Sequence, residues 1–593
     1  MPGLVGLITN MPRHDAQARL QRMVAALRHE TSYATGTWCD ESLGLYVGWA
    51  EREHDVKCLP ILSANGDLAL HISGETFAEA GEPSDNRAYL LQHAKEDACF
   101  PKRLNGLFHG VLADKRNRRA ILFNDRYGMH RLYYRDTEDT FYFAAEAKAI
   151  LEVCPETRCI DPDGVAEFIS CGCTLENRTI FKQISILSAG SAWVFQARKL
   201  HLKGSYFSPK EWEDQAPLDC ESYYRELKDA FSARIPHYFK GANPVGVSLT
   251  GGLDSRILMA WSGAPPSSVR CFSFGSSMRD SQDVKIARRV AQTCQQPHET
   301  IEVGDECLLD FPRLAERTVF LSDGCVEVKH APDLYASERA AQLAPTRVTG
   351  NYGGEVLRRV RAFKPVDPPR GLFAAELDSQ VARARETFSK VIACHPLSFA
   401  VFRQAPWRQY GLLALENTQQ MIRSPFLDNE IVRIVFRAPP ALRDSNDLSL
   451  RLIAEGNAEL EAIRTDRGLG GRLPRFLSAL QQVYLDLTFK AEYAYDYGMP
   501  DSLVRMDRTL KSFHLERAFL GRHKFTHFRV WYRDSLSDYV RQMLLDPKTL
   551  ARPYLERFAV ERMVREHSAG ERNHTTAIHK VLTLELIHRL FID

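Results

Sequence analysis

Residues 245–261 read VGVSLTGGLDSRILMAW, and this stretch restricts the fold more than any other. An apolar run passes directly through Thr250-Gly251-Gly252-Leu253-Asp254-Ser255 into an apolar helical pattern. That order predicts a buried strand feeding a helix through a glycine turn. Adjacent glycines let the backbone take positive φ and approach a ligand closely. Successive N–H groups at the helix start then form an anion cradle, reinforced by the helix dipole. Ser248, Thr250, Gly251, Gly252, Leu253 and Ser255 are therefore candidate phosphate-binding residues. An aspartate inside such a cradle makes sense when a divalent cation bridges it to the anion, so the loop is expected to hold pyrophosphate with Mg²⁺, Asp254 being a metal ligand. A plain Gly-Gly turn is the bland alternative, and the flanking strand and helix weigh against it. The G-x-x-x-x-G-K-[ST] spacing is missing, which argues against kinase-type γ-phosphoryl transfer.

The pattern around this loop alternates strand and helix: ESYYRELKDAFSARIPHYF, PVGVSLT, SRILMAW, VRCFSFG, SQDVKIARRVAQTC, ETIEV. Such alternation marks a doubly wound parallel sheet. From about residue 370 onward long helical patterns dominate, among them PRFLSALQQVYLDLTF and TAIHKVLTLELIHRLFI. Residues 1 to about 205 differ. Short apolar or alternating runs separated by Gly, Asn and Asp predict antiparallel sheets, covered by helices at 16–28, 87–96 and 146–152. The polar, proline-containing segment 208–219 reads as a linker.

The chain's 593 residues suit two large domains or three ordinary ones. Lys+Arg number 77 against 75 Asp+Glu, and so even a balance argues against non-specific nucleic-acid or acidic-membrane binding. The thirteen cysteines show no paired zinc spacing, and reduced thiols fit an intracellular, cytoplasmic chain. The opening MPGLVGLITN lacks the pattern of a secretory signal, and no apolar run approaches the ~20 residues of a membrane span. The interleaved aromatic and basic residues of 516–534 could suit single-stranded nucleic acid; in a near-neutral chain and at helical spacing they are read as an amphipathic helix.

TGGLDS is closely similar to the SGGxDS string of the PP-loop ATP pyrophosphatases, and other elements resemble the asparagine synthetase family in particular. Arg423-Ser424-Pro425-Phe426-Leu427-Asp428 resembles its R-x-P-F-L-D. Phe272-Ser273-Phe274-Gly275 resembles the strand end lining the adenine pocket. Asn124 to Gly128 with Leu132-Tyr133-Tyr134, and Phe143 to Ala149, resemble R-D-x-x-G-x-x-P-L-Y-Y and F-A-S-E-x-K-A. Their shared order extends the resemblance from about residue 1 to 470. It implies an α/β chain: a degenerate class II glutamine amidotransferase-like domain (an N-terminal-nucleophile αββα sandwich) over 1–207, the linker 208–219, and a PP-loop synthetase domain with a helical C-terminal region over 220–593. The implied chemistry is ATP- and Mg²⁺-dependent adenylation of a small-molecule or peptide carboxylate, then amide formation with ammonia or an amine. No nucleic acid or membrane partner is implied, and a homo-oligomer is left open.

Several positions depart from the family. Its glutaminase thiol belongs to a cysteine in M-C-G-I-x-G, where this chain has Pro2, and proline has no thiol to form an acyl-enzyme. A free Pro2 amine acting as base is the less economical reading; a scaffold role for the domain is preferred. His29 to Tyr33 lacks the arginine of H-R-G-P-D, and Ser73-Gly74-Glu75 lacks the amide of N-G-E. Thr349-Gly350-Asn351-Tyr352-Gly353-Gly354-Glu355 stands where asparagine synthetases have S-G-[DE]-G-[AS]-D-E, and it also resembles T-G-Y-G-A-D of β-lactam synthetases. With one residue inserted, Tyr352 falls on the acid/base position and Glu355 on the second magnesium ligand; a solvated helix-start carboxylate is the alternative for Glu355. The K-x-G loop is replaced by Arg464 to Gly471, where Arg467 is the available cation. Arg358-Arg359-Val360-Arg361 suits either an anionic substrate or a solvated helix face. Asp283 matches an acidic position near the nucleotide in the family, with a helix-start aspartate as the preferred reading.

Overall fold

The computed structural model describes residues 3–53, 58–77, 90–91, 94, 99–471, 475–499, 504 and 519–593, with backbone alone over 475–481. Pro2 and most of the helix expected over 87–96 lie outside these residues.

The N-terminal half contributes twelve strands: β1 Gly3–Thr9, β2 Ala34–Asp40, β3 Leu45–Glu51, β4 Ile61–Leu62, β5 Leu68–Phe77, β6 Asn105–Asp114, β7 Arg119–Asn124, β8 Tyr133–Asp136, β9 Thr140–Ala144, β10 Ser185–Ile186, β11 Ser191–Gln196 and β12 Lys199–Ser205. They form two antiparallel six-stranded sheets, ordered β10-β8-β9-β1-β3-β2 and β12-β11-β7-β6-β5-β4. Side-chain alternation along β1 explains how they stack. Leu4 and Ile8 enter one apolar layer with Val111, Leu122 and Trp193 of the second sheet. Val5 and Leu7 face the helices Arg13–Leu27 and Ala147–Val153 through Leu20, Val24 and Ile150. The far face of the second sheet, with Leu70, Ile72 and Phe123, joins a core that includes Leu227 and Phe231 of the helix Cys220–Tyr238. This is the expected Ntn-type sandwich. The segment between the halves carries a short helix, Lys210–Glu213, and buries Trp212.

The second half is built on β13 Val245–Ser248, β14 Arg270–Ser276, β15 His298–Val303, β16 Thr346–Thr349 and β17 Met421–Arg423. All pair in parallel, in the order β15-β14-β13-β16-β17. The chain moves outward from β13 to β15, then returns to the other side of β13 as β16. Beside β13 the winding reverses, and the carboxyl ends of the strands there open a crevice. Among the described residues beyond Arg475 helices predominate; Thr575–Ile587 is buried except at Thr576. None of the described helices is long and apolar enough to cross a membrane. All thirteen cysteines are free thiols.

One helix expectation is corrected. Of 516–534, residues 516–518 lie outside the described set, 519–527 are turns and coil, and only Phe528–Arg533 is helical. The buried Glu492 carboxylate accepts the N–H groups of Gly521 (2.7 Å) and His523 (2.8 Å). Donors satisfied by a side chain no longer need the helical ladder.

Candidate active site

A cleft of about 710 Å³ opens at the carboxyl ends of β13, β14 and β16. Ser248, Thr250, Gly252, Asp254, Ser255, Phe274, Thr349, Gly350, Tyr352 and Glu355 all line it. Two loops more than ninety residues apart thus face one space, because β13 and β16 are hydrogen-bonded neighbours in register from Val245/Thr346 to Ser248/Thr349. Their approach is close. A Cβ at Gly353 would lie 2.6 Å from Asp254 Cγ, so only glycine fits.

The first loop runs into the helix Asp254–Trp261. Three of its N–H groups meet side-chain oxygens: Thr250 donates to Ser255 Oγ (3.2 Å), Gly251 to Asp283 Oδ1 (2.8 Å) and Gly252 to Thr250 Oγ1 (3.3 Å). The hydroxyl partners of Thr250 and Gly252 are replaceable by phosphate oxygens. Asp283 is a buried fixture, and burial, reinforced by the neighbouring Asp466 carboxylate, pushes its acid up to about 6. Leu253 turns its side chain into the apolar core. Beneath the loop, buried Arg256 donates to the carbonyls of Gly251 (3.4 Å) and Arg464 (3.3 Å), tying the loop to the 460–466 segment.

The second loop carries Tyr352 at φ 70° and Arg359 at φ 53°, bracketing the short helix Gly353–Arg358. A non-glycine residue held in the left-handed region costs of order 1–3 kcal/mol and is tolerated where the surroundings impose it. The Tyr352 hydroxyl is pushed well above 10, first by burial and then by Glu416 and Glu355. Glu355 Oε1 accepts from Gln409 Nε2 (2.6 Å) and Gln404 Nε2 (3.2 Å). Burial raises its acid, and Asp254 adds to the rise.

Asp254 Oδ2 accepts a hydrogen bond from Arg358, while buried Oδ1 has an ion-pair contact with the same guanidinium and no hydrogen-bond partner. Arg358 places Nη1 2.8 Å from Oδ1 and Nη2 2.9 Å from Oδ2, and its Nη1 also donates to Ser449 Oγ (3.1 Å). Mg²⁺ requires free carboxylate oxygens in near-octahedral order. Asp254 Oδ1, buried with no hydrogen-bond partner, is the oxygen that would face such an ion.

Arg467 is not among the residues lining the cleft. Its guanidinium stacks 3.6 Å from the Phe489 ring centroid, 3.4 Å from Asp466, where two neighbours hold it at the rim. The cleft's own cations are Arg347, Arg358 and Lys524. Arg347 pairs with Glu416 (3.0 Å) and lies 5.3 Å from the Phe274 ring centroid. Lys524, on the non-helical segment after Gly521, pairs with Asp496 and packs on Tyr497. The sequence reading missed Lys524 because 516–534 was assigned to one helix; the run His523-Lys524-Phe525 was the available signal.

Outside the cleft, segments matched to the family's motifs carry contacts that join the two halves, with His29–Glu146 internal to the sandwich. Asp428 accepts from Asn105 Nδ2 (2.8 Å), Arg234 Nε (3.0 Å) and Tyr238 Oη (3.0 Å). Arg423 grips Glu75 with Nη2–Oε1 at 2.6 Å and Nε–Oε2 at 2.8 Å. His29 pairs with Glu146 (2.8 Å), Glu30 with Arg317 (2.5 Å), and Tyr33 Oη donates to Thr418 O (2.8 Å).

Comparison with known proteins agrees with this architecture. A family model described as a glutamine amidotransferase domain matches residues 1–207, and one described as asparagine synthase matches 226–348 and 508–589. The chain is 21% identical to asparagine synthetase (glutamine-hydrolyzing) 1 of Bacillus subtilis, over 100% of this chain and 97% of that protein. A probable asparagine synthetase of Schizosaccharomyces pombe is 24% identical over 42% of this chain and 46% of its own length. A putative asparagine synthetase 2 of Methanocaldococcus jannaschii is 28% identical over 33% and 38%. Among solved structures, a glutamine phosphoribosylpyrophosphate amidotransferase from B. subtilis has a TM-score of 0.25 at 12% identity, covering 50% of this chain and 65% of that one. With an amidotransferase-type sandwich joined to a parallel-sheet synthetase domain, the two family models in that order, and one relative aligned over its full length, the chain belongs to the asparagine synthetase family of carbon–nitrogen ligases.

Proposed function

We propose that the cleft binds ATP and activates a carboxylate as its acyl-adenylate, which a nitrogen nucleophile then converts to an amide. The observation that carries this reading is the meeting of the Thr250–Ser255 loop with the Thr349–Glu355 loop at the point where the sheet reverses its winding. A carboxylate oxygen attacks the α-phosphorus, the α–β P–O bond breaks, and pyrophosphate leaves into the cradle. The amine lone pair then attacks the acyl carbon, the C–O bond to AMP breaks, and the amine gives up a proton. Tyr352, beside Glu355, is suited to handle that proton, and backbone donors with Arg358 and Lys524 oppose the developing charge. Phe274, with Phe525 at 6.1 Å between ring centroids, offers an apolar wall for the base.

The nitrogen is proposed to come from ammonia, a substrate amine or a separate donor protein, not from glutamine hydrolysed by this chain. Pro2 supplies no thiol. Segments that correspond to a glutamine pocket hold the second half instead: Glu75 holds Arg423, Glu30 holds Arg317 and Tyr33 holds Thr418, while His29 pairs with Glu146 inside the sandwich. Pyrophosphate–ATP isotope exchange across a panel of carboxylic acids tests the reading. Exchange that depends on one acid, with amide formation driven by ammonium or an amine, is expected. No nucleotide binding and no exchange with any acid would favour a purely binding or assembly role, the reading that the altered 349–355 loop suggests. Ammonia released from glutamine by the purified chain would refute the nitrogen assignment.

A further inference from the structure

A second cavity, of about 490 Å³, opens between the two halves and shares no lining residue with the cleft. Arg126 and Arg131, from the segment between β7 and β8, line it together with Arg403. Phe207, Phe402 and Trp407 add flat apolar wall, and exposed Glu176 is the only carboxylate among the lining residues. We propose that this cavity is a ligand site in its own right, for a planar ring that carries a phosphate or carboxylate group, and that its occupant acts on the cleft as an effector.

Arg131 supplies the demand for an anion. Its side chain is buried, 4% exposed, and its guanidinium donates to Pro406 O and to Cys325 Sγ (3.8 Å) while lying 3.6 Å from the Tyr410 ring centroid. All three partners are neutral, since burial pushes the Cys325 thiol up. Asp323, which shares a smaller pocket with Arg131, is taken by Lys148 at 2.9 Å. Arg126 donates to the carbonyls of Leu104 (3.0 Å) and Lys102, and Arg403 to that of Phe402 (3.0 Å). Among the described residues none of the three forms a salt bridge, so each keeps N–H donors for an incoming oxyanion, and a buried cation left without a carboxylate is costly. Guanidiniums grip phosphate or carboxylate at two points. The ring would lie against Trp407, whose centroid is 5.2 Å from the Arg403 guanidinium, or against Phe402, already stacked on Tyr127 at 5.5 Å. The volume suits a small organic anion, pockets of this kind spanning roughly 300–1,000 Å³.

One element borders both spaces. The π-helical segment Ala400–Gln409 turns Arg403, Pro406 and Trp407 to the cavity, while its Gln404 and Gln409 donate to Glu355 in the cleft. Pro406 brings no N–H to the ladder. Side chains hold the segment instead, Arg131 on the Pro406 carbonyl and Arg403 on the Phe402 carbonyl. An anion bridging these two guanidiniums braces the segment that positions Glu355. Coupling of this kind needs two sites and one shared element, and both are present.

The test is titration of the full chain, without nucleotide, with phenyl phosphate, benzoate and inorganic phosphate, read by calorimetry and by amide hydrogen exchange. One of the two ring-bearing anions is expected to bind with a Kd below about 1 mM and at least tenfold more tightly than inorganic phosphate; which one binds tells phosphate from carboxylate. Arg403→Ala should weaken that binding at least tenfold, and Trp407→Leu should weaken it while leaving inorganic phosphate unchanged. Both side chains are partly exposed, and an unaltered circular dichroism spectrum shows that each variant folds. Exchange over 400–409 and 353–358 should slow at least threefold on binding in the wild type and not in Arg403→Ala. No ring-bearing anion binding more tightly than inorganic phosphate, or binding that neither variant weakens, overturns the site; binding without slower exchange overturns the coupling. Neither result bears on the ATP reading of the cleft, which pyrophosphate exchange tests separately.

Discussion

Removing the Glu75 carboxylate should loosen the join between the two halves of the chain by a measurable amount. Glu75 and Arg423 are 348 residues apart, with side chains 12% and 4% exposed, and they meet through two N–H···O contacts of 2.6 and 2.8 Å. Breaking a buried pair by deleting one partner costs about 3–5 kcal/mol, because the other charge stays buried. Here Arg423 keeps the carbonyls of Tyr238 (2.8 Å) and Lys240 (2.6 Å), and Glu75→Gln keeps one oxygen acceptor. The expected cost is therefore lower, about 2–4 kcal/mol. Unfolding entropy near 2.1 cal/mol/K per residue gives about 0.4 kcal/mol/K for a unit of 207 residues and about 1.2 for all 593. A 3 kcal/mol loss then lowers the midpoint by about 7 °C if the N-terminal sandwich melts alone, and by about 2.5 °C if the chain melts as one. Scanning calorimetry at fixed scan rate reads both the shift and the number of transitions. Glu75→Leu with Arg423→Met, which removes both charges but strands the carbonyls of Tyr238 and Lys240, should lose less than the two single variants together. A Glu75→Gln shift below 1 °C, or a double variant worse than both singles together, would refute the reasoning.

Three further outcomes are expected. With its carboxyl pushed up to about 6 from an ordinary 3.8, native Asp283 retains a proton that the unfolded chain has already released. Stability should fall by up to about 3 kcal/mol as pH rises from about 4 to about 6; Asp283→Asn, which still accepts the Gly251 N–H, should flatten that slope in denaturant titrations, and an unchanged slope would acquit Asp283. Tyr352→Phe should leave pyrophosphate exchange within about threefold of wild type while slowing amide formation about 10²–10⁴-fold; an equal loss in both steps would argue for a packing role. Gly353→Ala drives a methyl to 2.6 Å from Asp254 Cγ, at a cost of roughly 1–3 kcal/mol. It should weaken nucleotide binding about tenfold with an unaltered circular dichroism spectrum, and wild-type affinity would show that the two loops are not packed as described.

Much of the fold was legible because periodicity reports burial locally. The two-residue alternation of the N-terminal strands and the strand–helix succession after residue 220 each carry their own signal. The segment around Lys524 defeated that logic. Its spacing is helical, yet Glu492, about thirty residues earlier, captures the N–H groups that a helix would have used. Arg467 misled for a related reason: a cation in a glycine-rich loop is a sound candidate until Phe489 and Asp466 hold it at the rim.

By itself the sequence determined that Thr250 to Ser255 form a glycine turn from strand to helix, and that Pro2 offers no thiol where this family has one. Both follow from chemistry written into adjacent residues. Only the tertiary structure decided which cation meets Asp254. Arg358 was one of three arginines on a short stretch, equally suited to solvent or to an anion. The parallel register of β13 and β16 brings that guanidinium onto the loop carboxylate.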